Sequence, residues 1–131
     1  MTDLAPPDSL FSRLKADCPA EWQAYTRHAF VRGIADGTLP EACFRHYLIQ
    51  DYLFLIHFAR AWALAAFKSD DLGEIRGAAA ALSGIVDVEM DLHVKFCAGW
   101  GLTEADMAAA PEEMQTTAYT RYVMERGMAG D

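Results

Sequence analysis

The residues Glu41–Lys68 read EACFRHYLIQDYLFLIHFARAWALAAFK, and large apolar or aromatic side chains fall on every side of a helical wheel. Such a pattern predicts one long helix buried all round, with neighbours needed on each side. Punctuation brackets it. Asp36-Gly37-Thr38-Leu39-Pro40 reads as a glycine turn followed by a proline suited to a first helical turn, and Ser69-Asp70-Asp71 ends the helix and caps the next. Upstream, residues 1–8 with Pro6 and Pro7 read as a loose arm. Ser9 caps a helix carrying Leu10, Phe11 and Leu14, and Pro19 interrupts it or starts a segment with Trp22 and Tyr25. Downstream, Leu72, Ile75, Ala79, Leu82, Val86, Glu89, Met90 and His93 follow helical spacing, and Gly99 and Gly101 close that helix. Thr103-Glu104-Ala105-Asp106 resembles a capping box with Asp in the usual Glu place. Pro111 punctuates again, and Glu112–Arg126 forms a last helix stopped at Gly127.

Nothing alternates with period two, β-branched residues are scarce and alanine is abundant, so the expected class is all-α. Long helices with short loops make a bundle, residues 9–131 forming its single domain. At 131 residues the chain can bury roughly two-thirds of its surface, enough for one core. About three further long helices are on offer to surround Glu41–Lys68, which is thin cover. The expectation is self-association or a chain that is part of a longer one.

Charge narrows the partners. Eleven basic and 19 acidic side chains leave −8, and no basic stripe interrupts the acidic surface, which argues against nucleic acid. The start MTDLAPPDSL lacks the basic and apolar regions of a signal peptide. The run 47–67 is long enough to span a bilayer, but Gln50, Asp51, His57 and Arg60 make insertion costly, so no membrane partner is expected. Three unevenly spaced cysteines, Cys18, Cys43 and Cys97, fit a reducing cytoplasm.

Asp51 is the residue that this setting singles out. A carboxylate in an apolar helix loses hydration, at several kcal/mol unless partners replace it. Tyr47, Asp51, Phe54 and Phe58 lie at i−4, i, i+3 and i+7, on one stripe. Rings flanking a carboxylate suit a flat heterocycle with N–H donors. A core pairing of Asp51 with an Arg or His elsewhere stands beside that reading. Glu89 and His93 share a face one turn apart and could form half of a metal site, but no Glu-x-x-His occurs, so hydrogen bonding or core polarity is favoured. His57 reads as a satisfied core or interface histidine. No cysteine adjoins a histidine or a helix start, none is a convincing nucleophile, and no Gly-rich phosphate loop occurs.

Several segments together carry a family pattern. They are WQAYTRHAFV at 22–31, DGTLP at 36–40, Phe44, YLIQDYLFL at 47–55, FARA at 58–61, EMDLH at 89–93 and TAYTRY at 117–122. With these the chain resembles the TenA/thiaminase II family over nearly its whole length, DGTLP followed closely by QDY being quite specific. The resemblance implies a haem-oxygenase-like helical bundle without haem or another cofactor. It implies a cytoplasmic, homotetrameric enzyme of thiamin salvage that hydrolyses an aminopyrimidine or a thiamin-related small molecule. It assigns Asp51 to holding the pyrimidine ring nitrogen and amino group, Tyr119 to the site wall, and Glu89 to a recurrent acidic position. Phe54 stands where many members have tyrosine, and His28-Ala29-Phe30 replaces the common His-Pro-Phe. The family's nucleophilic cysteine and catalytic glutamate lie beyond the region resembled, so the chain is expected to be the N-terminal portion of a longer protein. A metal-dependent oxidase using Glu89 and His93, and a non-catalytic pyrimidine-binding or regulatory protein, are the rival functions.

Overall fold

A computed structural model describes residues 5–130, all-helical with no strand among them; Met1–Leu4 of the expected arm, and Asp131, lie outside the described residues. The chain divides into two compact units, one up to Glu41 and one from Ala42.

The first unit holds α1 (Leu10–Asp17), α2 (Pro19–Thr26) and α3 (Ala29–Asp36). Ser9 caps α1 by accepting from the Ser12 N–H at 3.1 Å, and Pro19 opens α2 at a position where its missing N–H costs nothing. Phe11 and Trp22 pack edge to face at 5.5 Å. His28 caps α3, its Nδ1 accepting from the Phe30 N–H at 3.2 Å. Gly33 lies inside α3. It is buried, and a Cβ there would meet the Leu39 Cβ at 3.2 Å. The DGTLP turn wraps onto it, with Thr38 and Leu39 N–H both donating to its carbonyl, and Gly37 takes the left-handed φ of 69° that closes the helix.

The second unit is organised on α4 (Glu41–Lys68), with the bounds its sequence predicts. Its cover is one-sided, contrary to the expected all-round burial. Leu48, Tyr52, Leu53, Leu55 and Ala59 are buried, whereas Phe67 is 85% exposed and Ile56 and Tyr47 are also exposed. Two apolar clusters line the buried side. One gathers Leu48, Tyr52, Leu53, Cys97 and Met107, the other Leu55, Ala59 and Ile85.

Asp71 caps α5 (Leu72–Ser83) through the Glu74 N–H at 3.1 Å. The expected continuous helix to Gly99 is broken in register by a π-helical turn, Gly84–Glu89, before α6 (Met90–Ala98). Within it the Met90 N–H reaches back five residues to the Ile85 carbonyl. The capping box is present at α7 (Glu104–Ala109), with Thr103 and Asp106 exchanging backbone and side-chain bonds. Thr103→Ala is expected to cost about 1 kcal/mol of stability, read as a lower urea midpoint at unchanged slope.

The last helix, α8 (Met114–Ala129), runs through Gly127 instead of stopping there. A Cβ at Gly127 would meet Leu64 Cδ2 at 3.2 Å, so glycine serves the approach of α8 to α4.

Candidate functional site

Asp51 projects from α4 and meets His93 of α6, Oδ2 lying 2.8 Å from Nε2. Both side chains are largely covered, at 21% and 14% exposed. Of the two pairing partners the sequence left open, histidine is the one used. The other ring nitrogen, Nδ1, lies 2.9 Å from the Glu89 carbonyl oxygen. A carbonyl only accepts, so Nδ1 carries a hydrogen. A carboxylate likewise accepts, so Nε2 carries one too. The geometry therefore describes an imidazolium bridging Asp51 and the Glu89 backbone. The hydrogen bond from Asp51 leads the causes that hold the His93 pKa above its ordinary value, against a smaller opposing effect of burial. Asp51 keeps its second oxygen, Oδ1, without a hydrogen bond among the described residues, and no side-chain oxygen there is buried without a partner. It is available to a donor.

Phe54, one turn on from Asp51, stacks on Tyr119 of α8 with centroids 5.7 Å apart and 21° between planes. Phe58 also stacks on Phe54, at 5.3 Å, and Trp62 meets Phe58 edge-on at 5.9 Å. The stripe read from the sequence is thus an aromatic wall, with Tyr119 57% exposed at its outer side. Glu89 joins the constellation through its main chain. Its carboxylate is exposed and acts on His93 only as a weak field. Both ring nitrogens of His93 lie within hydrogen-bonding distance of an oxygen, Nδ1 of the Glu89 carbonyl and Nε2 of Asp51. Among the described residues no group of three or more His, Cys, Asp or Glu is placed to hold a metal ion.

Sequence reasoning missed the part that holds α8 in place. Gln50 donates from Nε2 to the Pro111 carbonyl at 2.9 Å. Its Oε1 accepts from the Glu113 N–H at 2.9 Å and the Thr116 hydroxyl at 2.8 Å. One amide beside Asp51 thereby fixes the start of the helix that carries Tyr119. A polar residue in an apolar run was the available signal. His57 is satisfied as expected, its Nε2 lying 2.7 Å from Glu112. That bond, above all, holds the Glu112 carboxyl below its usual range, with Arg121 adding an ion pair at 3.0 Å.

Cys97 is fully buried, and burial pushes its thiol upward, so it is no thiolate nucleophile; Cys18 and Cys43 are exposed. A groove of about 680 Å³ opens further along α4, lined by Phe58, Trp62, Lys68 and Glu74 among others, and does not include Asp51. No helix among the described residues is long and apolar enough to cross a membrane.

Over 109 residues the chain is 44% identical to an uncharacterized protein of Haemophilus influenzae, covering 83% of this chain and 50% of that one. It is 36% identical to the aminopyrimidine aminohydrolase of Halalkalibacterium halodurans, covering 83% and 49%. A crystal structure described as a TenA family transcription regulator, from Silicibacter sp. TM1040, superposes with a TM-score of 0.91 at 46% identity, covering 94% of this chain and 55% of that one. The chain thus spans about half the length of these relatives. The model of the TENA/THI-4/PQQC family matches residues 16–131, and the chain belongs to that family.

Proposed function

We propose that this chain carries the pyrimidine-binding part of an aminopyrimidine hydrolase. The observation that supports this reading is the Asp51 carboxylate, held by His93 through one oxygen and free at the other, beside the stacked Phe54–Tyr119 pair. A planar heterocycle with an amino group matches such a wall and acceptor: the ring lies against the aromatic faces and its N–H groups donate to Oδ1. Relatives named aminopyrimidine aminohydrolase lend the substrate class.

Hydrolysis of the amino group breaks a carbon–nitrogen bond, forms a carbon–oxygen bond from water and releases ammonia. Asp51 assists by favouring the ring-protonated pyrimidine, in which the carbon under attack is more electrophilic. Glu89 contributes by fixing His93 through its carbonyl. The attacking nucleophile is a group other than Cys97, whose thiol is sealed in the core. The reaction is proposed for the whole protein.

A second reading, a pyrimidine-binding protein without turnover, draws on the description of the Silicibacter relative as a transcription regulator. Titration calorimetry with 4-aminopyrimidine and an ammonia-release assay, both on the whole protein, separate the two. Binding with release supports the hydrolase, binding without release supports the second reading, and no binding defeats both.

A further inference from the structure

Burial along α5, the π turn and α6 does not follow one helical phase. Ala78 and Ile85 are buried, seven residues apart, and a regular helix would bring Leu92 to the same face. Leu92 is instead 59% exposed, and Phe96, one turn further, is exposed with it. The inward positions after the π turn are Met90, Val94 and Cys97, all packed in the core with Leu48, Tyr52 and Leu53. Ile85 to Met90 is a step of five, the step that the Met90-to-Ile85 hydrogen bond spans. A π turn amounts to one extra residue in an α-helix, and such turns recur at functional sites. The extra residue delays the inward face by one position. His93 thereby reaches Asp51, while Leu92, which a regular helix would bury, stays outside.

We infer that the π turn Gly84–Glu89 absorbs one extra residue and so lets His93 face Asp51, and that His93 is a positioning residue that holds the Asp51 carboxylate oriented for a ligand's N–H donors. The ligand part rests on the aminopyrimidine reading given above; the register part does not. Two features of one turn serve the same end. It shifts the register, and its last residue, Glu89, supplies the carbonyl that fixes the far side of the ring. The charged groups acting on His93 are Asp51 across on α4 and Glu89 one turn back.

The sign of the pH dependence follows. His93 takes up its proton more readily in the folded chain than in the unfolded one. The pair's stabilisation is therefore complete below about pH 6.5, the ordinary histidine value, and is lost as pH rises through the raised folded value.

The test joins histidine nitrogen NMR to binding. In the wild-type chain at pH 6 both His93 nitrogens are expected to be protonated, with the titration lying above the ordinary value. A ring already neutral at that pH would overturn the inference. Deleting Val88, exposed within the turn, removes the extra residue. The π turn then closes to a regular helix and the His93 signature is expected to survive; a folded variant that loses it contradicts the register argument. His93→Gln keeps a donor to Asp51 without the charge. It is expected to weaken 4-aminopyrimidine about tenfold at pH 6 and to remove whatever part of the pH dependence of binding follows the His93 titration. Wild-type-like affinity and pH profile in that variant would remove the positioning role. If the wild-type chain binds no aminopyrimidine at all, the substrate reading fails while the NMR measurements still decide the register and the protonation.

Discussion

Asp51→Asn is expected to weaken aminopyrimidine binding by about 10- to 100-fold, and to abolish hydrolysis in the whole protein, while circular dichroism stays that of a folded helical chain. The magnitude follows from hydrogen bonds to a charged group, roughly 1.5–3 kcal/mol, at about 1.4 kcal/mol per decade of affinity. Asparagine is the informative substitution because it is nearly isosteric. Its oxygen can still accept from His93 Nε2, which preserves the tie between α4 and α6. Its amide nitrogen then takes the place of Oδ1 and presents hydrogens to a ligand that also presents hydrogens, so donor faces donor. Loss of the carboxylate also removes the leading cause of the raised His93 pKa, so its titration moves down in the variant, and the comparison is made at a pH low enough that Nε2 keeps its hydrogen. Affinity within twofold of wild type in a folded Asp51→Asn chain would show that the carboxylate is not the ligand's acceptor.

Met107→Ala is expected to produce the largest loss of stability, about 2–5 kcal/mol, measured as a fall in urea midpoint. Met107 is fully buried, packed in the cluster of Leu48, Tyr52, Leu53 and Cys97. It sits on α7, whose six residues are too few to form a stable helix alone. The capping box fixes the start of α7, and the Tyr52 hydroxyl donates to Glu104 at 3.0 Å. Neither replaces a buried side chain. Because a domain of this size holds only about 5–15 kcal/mol in total, the substitution takes a large share of the margin. A loss under about 1 kcal/mol would mean that α7 collapses onto the cavity without cost, contrary to the tight packing inferred at Met107.

Local signals in the sequence carried the fold a long way. Ser9, Asp71 and Thr103–Asp106 cap the helices expected of them, because a capping side chain and the N–H groups it serves are near neighbours in the chain. The bounds of α4 follow from the DGTLP turn and the Ser69-Asp70-Asp71 cap. The failures are also physical. The π turn hid because Ala79, Leu82, Val86, Glu89 and His93 satisfy a 3.6-residue period well enough to mask a shift of one residue. Only burial distinguishes Leu92 outside from Met90 inside. The halt expected at Gly127 failed because a helix glycine can serve a close approach, here to Leu64, as well as a stop.

For the site, the stripe of Asp51, Phe54 and Phe58 was readable from spacing, and Tyr119 came only with the family resemblance. The partner of Asp51 was not readable. His93 lies 42 residues away, and any of several histidines or arginines met the electrostatic need. Gln50 escaped for the same reason, its three partners lying in the segment Pro111–Thr116. Long-range polar pairing depends on how helices are set against one another, and that information is spread over the whole core.

The most direct measurement is a crystal structure of the chain with 4-aminopyrimidine bound. The account predicts the ring against Phe54 and Tyr119, with a ring or amino nitrogen about 2.7–3.2 Å from the Asp51 carboxylate and His93 still on its other oxygen. A ligand seated elsewhere, for instance in the groove between Trp62 and Glu74, with Asp51 untouched, would contradict it.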